Sequence, residues 1–448
     1  MAAFLTLLLA SVTLGCARPP PPNVLLIVVD TLRADRLGIF GDSRSLTPFL
    51  DEFATSAYVF RAAYAASSFT TPSVASLMTG RHPSRHGAVG HSSSLPEKEL
   101  TLAELLRERG YATAGFTANI LLRPERGYGQ GFDHYVALPT VEFEDVQIPA
   151  RGRRVNQSAL AWLDGRETDG AEPFFLYLQY MEPHVPFAPS RAALEWVFGE
   201  QAVSVDVKAA SCQMSWCALN PLEEEHRRLA EGVYDAEVFD LDAALRELFL
   251  GLERRGVLER TIVVVTSDHG EEFLEHGGLG HGRSLYDELI RVPLLIRMPG
   301  QTQRVDLGAV VSHVDLLPTL LAWVGAAEAP AAEGRDLAAL LAGDRDAEAA
   351  AFAELLEEQR PDAVGHLRVV VTARDVLIRG TASEPEILAG PRRESHGPPT
   401  PSRLRALERR LAQFEAGAAD DSAPDLRPLG AEEKEQLRLL GYLPPEPE

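Results

Sequence analysis

The sequence predicts an α/β fold in which a large, mostly parallel sheet is flanked by helices, and three observations predict it. Short apolar blocks recur at 23–29 (Asn-Val-Leu-Leu-Ile-Val-Val), 111–116, 174–180, 261–266 (Thr-Ile-Val-Val-Val-Thr) and 292–298. Helical patterns at 47–57, 72–80, 100–109, 222–255 and 312–325 lie between them, and strands alternating with helices point to a parallel sheet with both faces covered. Two of the apolar blocks run straight into Asp30 and into Ser267-Asp268-His269. In open α/β sheets the carboxyl ends of the strands are where sites are built.

The first strand, 23–29, shows no apolar/polar alternation, which suits a central strand buried on both faces. Ahead of it, residues 1–16 form a short apolar run ending in Leu14-Gly15-Cys16. It is too short to span a bilayer and reads as a secretory signal, with Cys16 placed for lipid attachment. Ala-Arg-Pro-Pro-Pro-Pro at 17–22 is then an extended tether, so the expected location is periplasmic or cell-surface. Residues 23–344 read as the main domain. After about 328 the texture turns Ala-rich and acidic, and strand-like pieces return at 367–379, so 345–448 reads as a smaller C-terminal α+β subdomain.

With 43 basic and 65 acidic residues the chain carries a net charge of −22, which argues against nucleic acid as a partner. A small-molecule, glycan-derived or lipid-derived anionic ester remains compatible, because a bound cation dominates its local field. Besides Cys16 there are only Cys212 and Cys217, close enough for a small disulfide loop in an oxidising compartment or else two thiols.

Asp30, Asp268 and His269 supply two carboxylates and an imidazole at strand ends, and the Thr70 hydroxyl completes a four-ligand set for one divalent ion. Oxygen donors with one nitrogen suit Mn²⁺, Mg²⁺, Ca²⁺ or Zn²⁺. Each element also has a plainer reading: a strand-ending Asp is a common turn residue, and Thr-Thr-Pro-Ser at 70–73 is a common helix opening with Thr71 as cap and Pro72 first. His82 and His86 sit where they can cap a helix end, Arg33 and Asp35 can pair, and Glu271 and Glu272 look solvated.

Several blocks together resemble the sulfatase family of the alkaline-phosphatase superfamily. Ser-Phe-Thr-Thr-Pro-Ser-Val-Ala-Ser-Leu-Met-Thr-Gly (68–80) resembles its signature Cys-x-Pro-Ser-Arg-x-Ser-Leu-Leu-Thr-Gly. Asn-Val-Leu-Leu-Ile-Val-Val-Asp (23–30), Glu-Pro-His-Val-Pro-Phe (182–187), Thr-Ser-Asp-His-Gly-Glu (266–271), Gly-His-Gly-Arg (280–283) and Val-Asp-Leu-Leu-Pro-Thr (314–319) follow in the family's order. The resemblance implies that Asp30, Asp268 and His269 hold the metal and that Thr70 stands at the nucleophile. It further implies that His184 contacts the ester and serves as general acid, and that His281 and Arg283 bind the anionic group.

In the family the signature Cys or Ser becomes formylglycine, and a Thr cannot be converted. Thr31 stands where the family has a second metal Asp, Val74 where it has the Arg that supports formylglycine, and Phe-Thr-Ala-Asn-Ile (116–120) where it has a Lys-Trp-His segment. The expectation is an exported, metal-dependent hydrolase of phosphate or sulfate esters in which a metal-activated Thr70 is the nucleophile and phosphoesters are favoured. The alternatives are a sulfatase working without formylglycine, a phospho-group transferase, and a catalytically silent anion-binding surface protein.

Overall fold

The computed structural model describes residues 20–138, 141–143, 146–148, 152–166, 172–214, 224–326, 329, 331–343, 349–356, 366–380, 386–389, 400–417 and 425–439. The expected signal at 1–16 lies outside them. Cys212 falls in the helix Val207–Met214, whereas Cys217 is outside the described residues, and with it the choice between a disulfide loop and two thiols. No helix among the described residues is long and apolar enough to cross a membrane.

The α/β architecture is as the sequence predicts. A nine-stranded sheet runs in the order Arg291–Val292, Tyr58–Tyr64 (β2), Leu294–Arg297, Thr261–Ser267, Asn23–Val29 (β1), Phe174–Tyr180, Ala112–Thr117 and His134–Ala137, with Val305–Ser312 also beside β2. β1 is central and parallel to both neighbours, with Val24 opposite Phe175 on one side and Ile262 on the other. The block expected as one strand at 292–298 is two pieces, both antiparallel to β2. Pro293, lacking an N–H, separates them.

β1 explains why the sheet is covered on both faces. Leu25, Ile27 and Val29 face one core with side chains of the helices Glu224–Arg254 and Gly152–Asp164 and of α1 (Pro48–Ala54). Val24, Leu26 and Val28 face a second core with α2 (Thr70–Thr79) and the helices Leu102–Arg107 and Leu316–Trp323. All six side chains are buried, each contributing about 1.5–3 kcal/mol on leaving water. The helix Leu102–Arg107 opens with a capping box, Thr101 Oγ1 accepting from the Glu104 amide (3.2 Å) and Glu104 Oε2 from the Thr101 amide (2.9 Å).

Toward the C-terminus, Ala350–Leu355, Leu367–Thr372, Asp375–Gly380 and Glu386–Ala389 form a four-stranded antiparallel sheet. The helix Pro401–Ala416 packs on it through Leu407 and Leu411 against Val370 and Leu377. This layer braces the segment after α2. Glu354 accepts the Ser84 amide at 2.9 Å and gives its own amide to Ala66 at 2.9 Å, and the His82 ring packs on Phe414 at 4.8 Å. His82 is the N-cap of the short helix Pro83–His86, but its side chain makes no cap and lies 3.1 Å from Glu333, while His86 is buried against the Ser76 hydroxyl at 3.0 Å.

Candidate active site

Parallel register brings the first residues together. Val29 lies opposite Ser267, so Asp30 and Asp268 leave their strands side by side at the carboxyl edge of the sheet. Ligand atoms of Asp30, Asp268 and His269 all lie within 4.8 Å of one another, and all three residues are fully buried. Their remaining atoms are spoken for. Asn119 Nδ2 donates to Asp30 Oδ2 at 2.5 Å, while Asp268 Oδ1 accepts the amides of Thr31 (3.2 Å) and His269 (2.8 Å). Thr31 reaches this position in the left-handed region, at φ 57, which is unusual for a β-branched residue.

Asp30 Oδ1 and Asp268 Oδ2 have no hydrogen-bond partner among the described residues, and His269 Nε2 lies 3.9 and 3.8 Å from them. Two buried carboxylates sharing a dry site repel. Burial first, and then the Asp268 charge, push the Asp30 carboxyl well above the usual range, and burial raises Asp268 as well. His269 Nδ1 faces the Gly270 carbonyl at 2.9 Å, which turns the Nε2 lone pair toward the carboxylates, and burial lowers this imidazole to about 4. Two orphaned oxygens and one nitrogen form a donor set that fits a divalent cation.

Thr70 is the first residue of α2, two residues earlier than the sequence suggests. Phe69 is the N-cap, with its carbonyl accepting the Ser73 amide at 3.1 Å. Pro72 thus falls inside the first turn, where a missing N–H costs no helical bond. Thr71 does not cap; its hydroxyl donates to the Gly90 carbonyl at 3.2 Å. Thr70 Oγ1 lies 3.2 Å from His269 Nε2, fully buried beside the open amides of the helix start. Behind it, Ser73 Oγ donates to the Asp268 carbonyl (2.5 Å), and His313 sits between Ser73 Oγ and Thr266 Oγ1, 3.3 Å from each. These contacts fix α2 on the strand that delivers Asp268.

His184 and His281 join this group from two loops. His184 follows the strand Phe174–Tyr180, its Nδ1 against the Val185 carbonyl, and burial holds it well below the usual histidine range. Its ring centroid is 5.0 Å from that of His281, which is in turn 4.5 Å from that of His269. Arg283 is exposed two residues on; after burial, its charge is what lowers His281 to about 3. Sequence reasoning missed Asn119, Ser73 and His313. It also misjudged Glu271 and Glu272, which are 0% and 4% exposed because Glu272-Phe273 pairs with Leu279-Gly280 and folds both inward. Arg33 and Asp35 do pair, at 2.7 Å.

A protein-family model described as Sulfatase matches residues 22–326. The chain belongs to the sulfatase family. Relatives of this sulfatase-family protein include the ulvan-active sulfatase of Formosa agariphila, 28% identical over 72% of this chain and 65% of that protein. Human arylsulfatase A is 30% identical over 75% of this chain and 71% of its own length. The matches thus span about two thirds of these relatives.

Solved structures that share the fold of the sulfatase-family chain include the following two. An enzyme in complex with its substrate D-glucosamine-2-N,6-O-disulfate superposes with a TM-score of 0.70, at 21% identity, over 90% of this chain and 99% of that one. The phosphonate monoester hydrolase of Agrobacterium radiobacter gives 0.68, at 20% identity, over 89% and 96%. Sulfatase-family enzymes use a divalent metal, and among the described residues Asp30, Asp268 and His269 form a fully buried group whose donors fit one, with a second, less buried group at Glu272, His276 and Glu288.

Proposed function

We propose that this sulfatase-family hydrolase cleaves phosphate or sulfate esters with Thr70 as its nucleophile, phosphoesters being favoured. The observation that carries the reading is the Thr70 hydroxyl, buried at the start of α2 and 3.2 Å from His269 Nε2, beside two carboxylate oxygens left without a hydrogen bond. A divalent cation held by Asp30, Asp268 and His269 would supply charge to polarise the ester and lower the pKa of the hydroxyl.

The chain's own groups account for the rest. Thr70 Oγ1 attacks the central atom of the ester as the bond to the leaving oxygen breaks; the Thr70 proton is lost to water, and the amides opening α2 receive the anionic oxygens. His184, held by its Nδ1 contact, stands on the leaving side, where Nε2 takes a proton from water and passes it to the departing oxygen. His281 binds the transferred anion, with Arg283 at the rim. Water then releases the covalent group from Thr70.

Phosphoesters are favoured because a Thr cannot become formylglycine and because Thr31 stands in place of a second metal carboxylate. Val74, where the family has an Arg, is 1% exposed and packed in the core around Leu26 and Val28, which leaves no charged support there. A second reading, sulfate-ester hydrolysis without formylglycine, draws support from the sulfatases among the relatives. An exported location, with attachment through Cys16, is part of the proposal.

The test is turnover of aryl phosphate, bis-aryl phosphate and aryl sulfate by metal-supplemented protein, with Thr70→Ala as control, followed by mass spectrometry of trapped protein. Phosphoester turnover that disappears in the variant, with label on Thr70, is the expected result. Sulfate preference selects the second reading, and label on another residue overturns the nucleophile.

A further inference from the structure

We infer that Tyr234 is a positioning residue whose phenol holds Thr31 in a left-handed backbone conformation, from which the Thr31 amide orients Asp268 toward the cation. The inference rests on the divalent-cation site proposed for Asp30, Asp268 and His269.

Thr31 is in a conformation that its own side chain disfavours. Besides glycines, three described residues have a positive φ, and of these Thr31, at φ 57, is the β-branched one. A branched Cβ crowds the backbone there, whereas a glycine would take the same angles without strain. The side chain gains nothing in exchange. Thr31 is fully buried, and its hydroxyl has no hydrogen-bond partner among the described residues. Strain kept directly after a cation ligand needs a cause in the surrounding structure.

The backbone of Thr31 is held on both sides. Its amide donates to Asp268 Oδ1 on the neighbouring strand end at 3.2 Å, and its carbonyl accepts the Tyr234 hydroxyl at 2.7 Å. The same hydroxyl accepts the Arg33 amide at 3.0 Å, so one oxygen brackets the two peptide groups that flank Leu32. Tyr234 belongs to the long helix Glu224–Arg254 and is fully buried, with its ring edge-to-face against Phe273 at 5.1 Å and 69°. Packing places the ring, and the hydroxyl follows.

The contact with Asp268 decides which of its oxygens faces the cation. Oδ1 takes two amides, that of Thr31 and that of His269 at 2.8 Å, and Oδ2 has no partner among the described residues. The His269 amide is next in the chain and turns with Asp268. The Thr31 amide instead follows the end of β1, so it ties this carboxylate to the strand that carries Asp30. If Thr31 relaxed to a negative φ, that tie would be lost and the two carboxylates would no longer be fixed relative to each other. Losing such a partner behind a ligand weakens cation binding without removing a donor.

Wild type, Tyr234→Phe, Thr31→Gly and Thr31→Gly/Tyr234→Phe, all in the full chain, decide it. Removing the hydroxyl keeps the ring packing but leaves the Thr31 carbonyl and the Arg33 amide unpaired, so urea midpoints should fall by similar amounts in both backgrounds. Mn²⁺ binding, measured by calorimetry, should instead depend on the background. Tyr234→Phe is expected to weaken it by about 10-fold. Glycine adopts the left-handed conformation unaided, so Thr31→Gly keeps the wild-type affinity and the double variant loses less than about threefold. Hydrogen exchange of the residue-31 amide, read without any cation, should quicken about 10-fold in Tyr234→Phe, and less than about threefold when the same change is made in Thr31→Gly. Equal losses of affinity in both backgrounds, or weak binding by Thr31→Gly alone, overturn the inference. If wild type binds no Mn²⁺, the cation site fails, while exchange at residue 31 still decides whether Tyr234 holds it.

Discussion

Asn119 reaches across 89 positions of sequence to place its side-chain amide 2.5 Å from Asp30 Oδ2. It belongs to the loop after the strand Ala112–Thr117, and its own Oδ1 is used to accept the Leu121 amide at 2.8 Å. The contact holds the carboxylate in place and leaves Oδ1 as the Asp30 oxygen with no hydrogen bond among the described residues. Replacing Asn119 with Ala should weaken metal binding by about 10–100-fold, as loss of an orienting partner generally does. Metal titrations followed by calorimetry check this; identical curves for variant and wild type would refute it.

Asp30 and Asp268 repel each other in a dry site, so the stability order of wild type and Asp30→Asn should depend on the cation. After chelation the variant is expected to be the more stable by about 1–2 kcal/mol, because one buried charge is gone. At a cation concentration about 100 times its dissociation constant the wild type gains about 2.7 kcal/mol and the variant far less, reversing the order. Melting curves with and without chelator test the crossing. A variant that melts lower in both conditions would show that the carboxylate is simply needed for folding.

His86 makes stability fall in acid. Burial first, and then the charges of Arg81 and His82, lower it from 6.5 to about 3, with Nε2 at Ser76 Oγ and Nδ1 accepting the Ala88 amide at 3.1 Å. Between those pH values the unfolded chain takes up a proton that the folded one refuses. The contribution is complete above about 6.5 and is lost as pH falls, at about 1.4 kcal/mol per unit. His86→Gln should be less stable than wild type at pH 8 and should show a shallower decline between pH 7 and 5. Urea unfolding across that range measures both, and parallel declines would refute the assignment.

Asp242, on the long helix Glu224–Arg254, caps α1 from outside. Its carboxylate accepts the amides of Phe49 (2.8 Å) and Leu50 (2.9 Å), while the local Thr47 makes no side-chain cap. Asp242→Ala should cost about 1–2 kcal/mol, whereas Thr47→Ala should not show a capping loss. Urea midpoints of the two variants compare the claims directly; equal losses would place the cap elsewhere.

The strands that carry Asp30 and Asp268 were legible because they are buried on both faces and so read as unbroken apolar runs. β2 was not, since its sequence Tyr-Val-Phe-Arg-Ala-Ala-Tyr contains a charge and two small residues, and Val305–Ser312 starts exposed before it enters the core. At the site, the residues ending strands could be found from pattern alone. Asn119, Ser73 and His313 could not, because their partners are remote in sequence: Ser73 and His313 are 240 positions apart. Glu271 was misread for a related reason. A Glu-Glu pair looks solvated until a two-residue bridge, which has no local signature, turns it inward.

β1 begins at Asn23, whose side chain ties the starting edge of the sheet together, donating to Thr261 Oγ1 at 3.3 Å and accepting the Phe174 amide at 3.1 Å. Seven residues later the same strand delivers Asp30, about 20 Å away at the opposite edge. Anything fastened ahead of Asn23 therefore pulls on the back of the molecule. Were Cys16 held in a bilayer, the six residues 17–22 would extend at most about 20 Å, and the mouth of the site would look outward from that surface. Such an arrangement suits esters that arrive from solution or hang from an extended polymer, and keeps the headgroups of its own membrane out of reach.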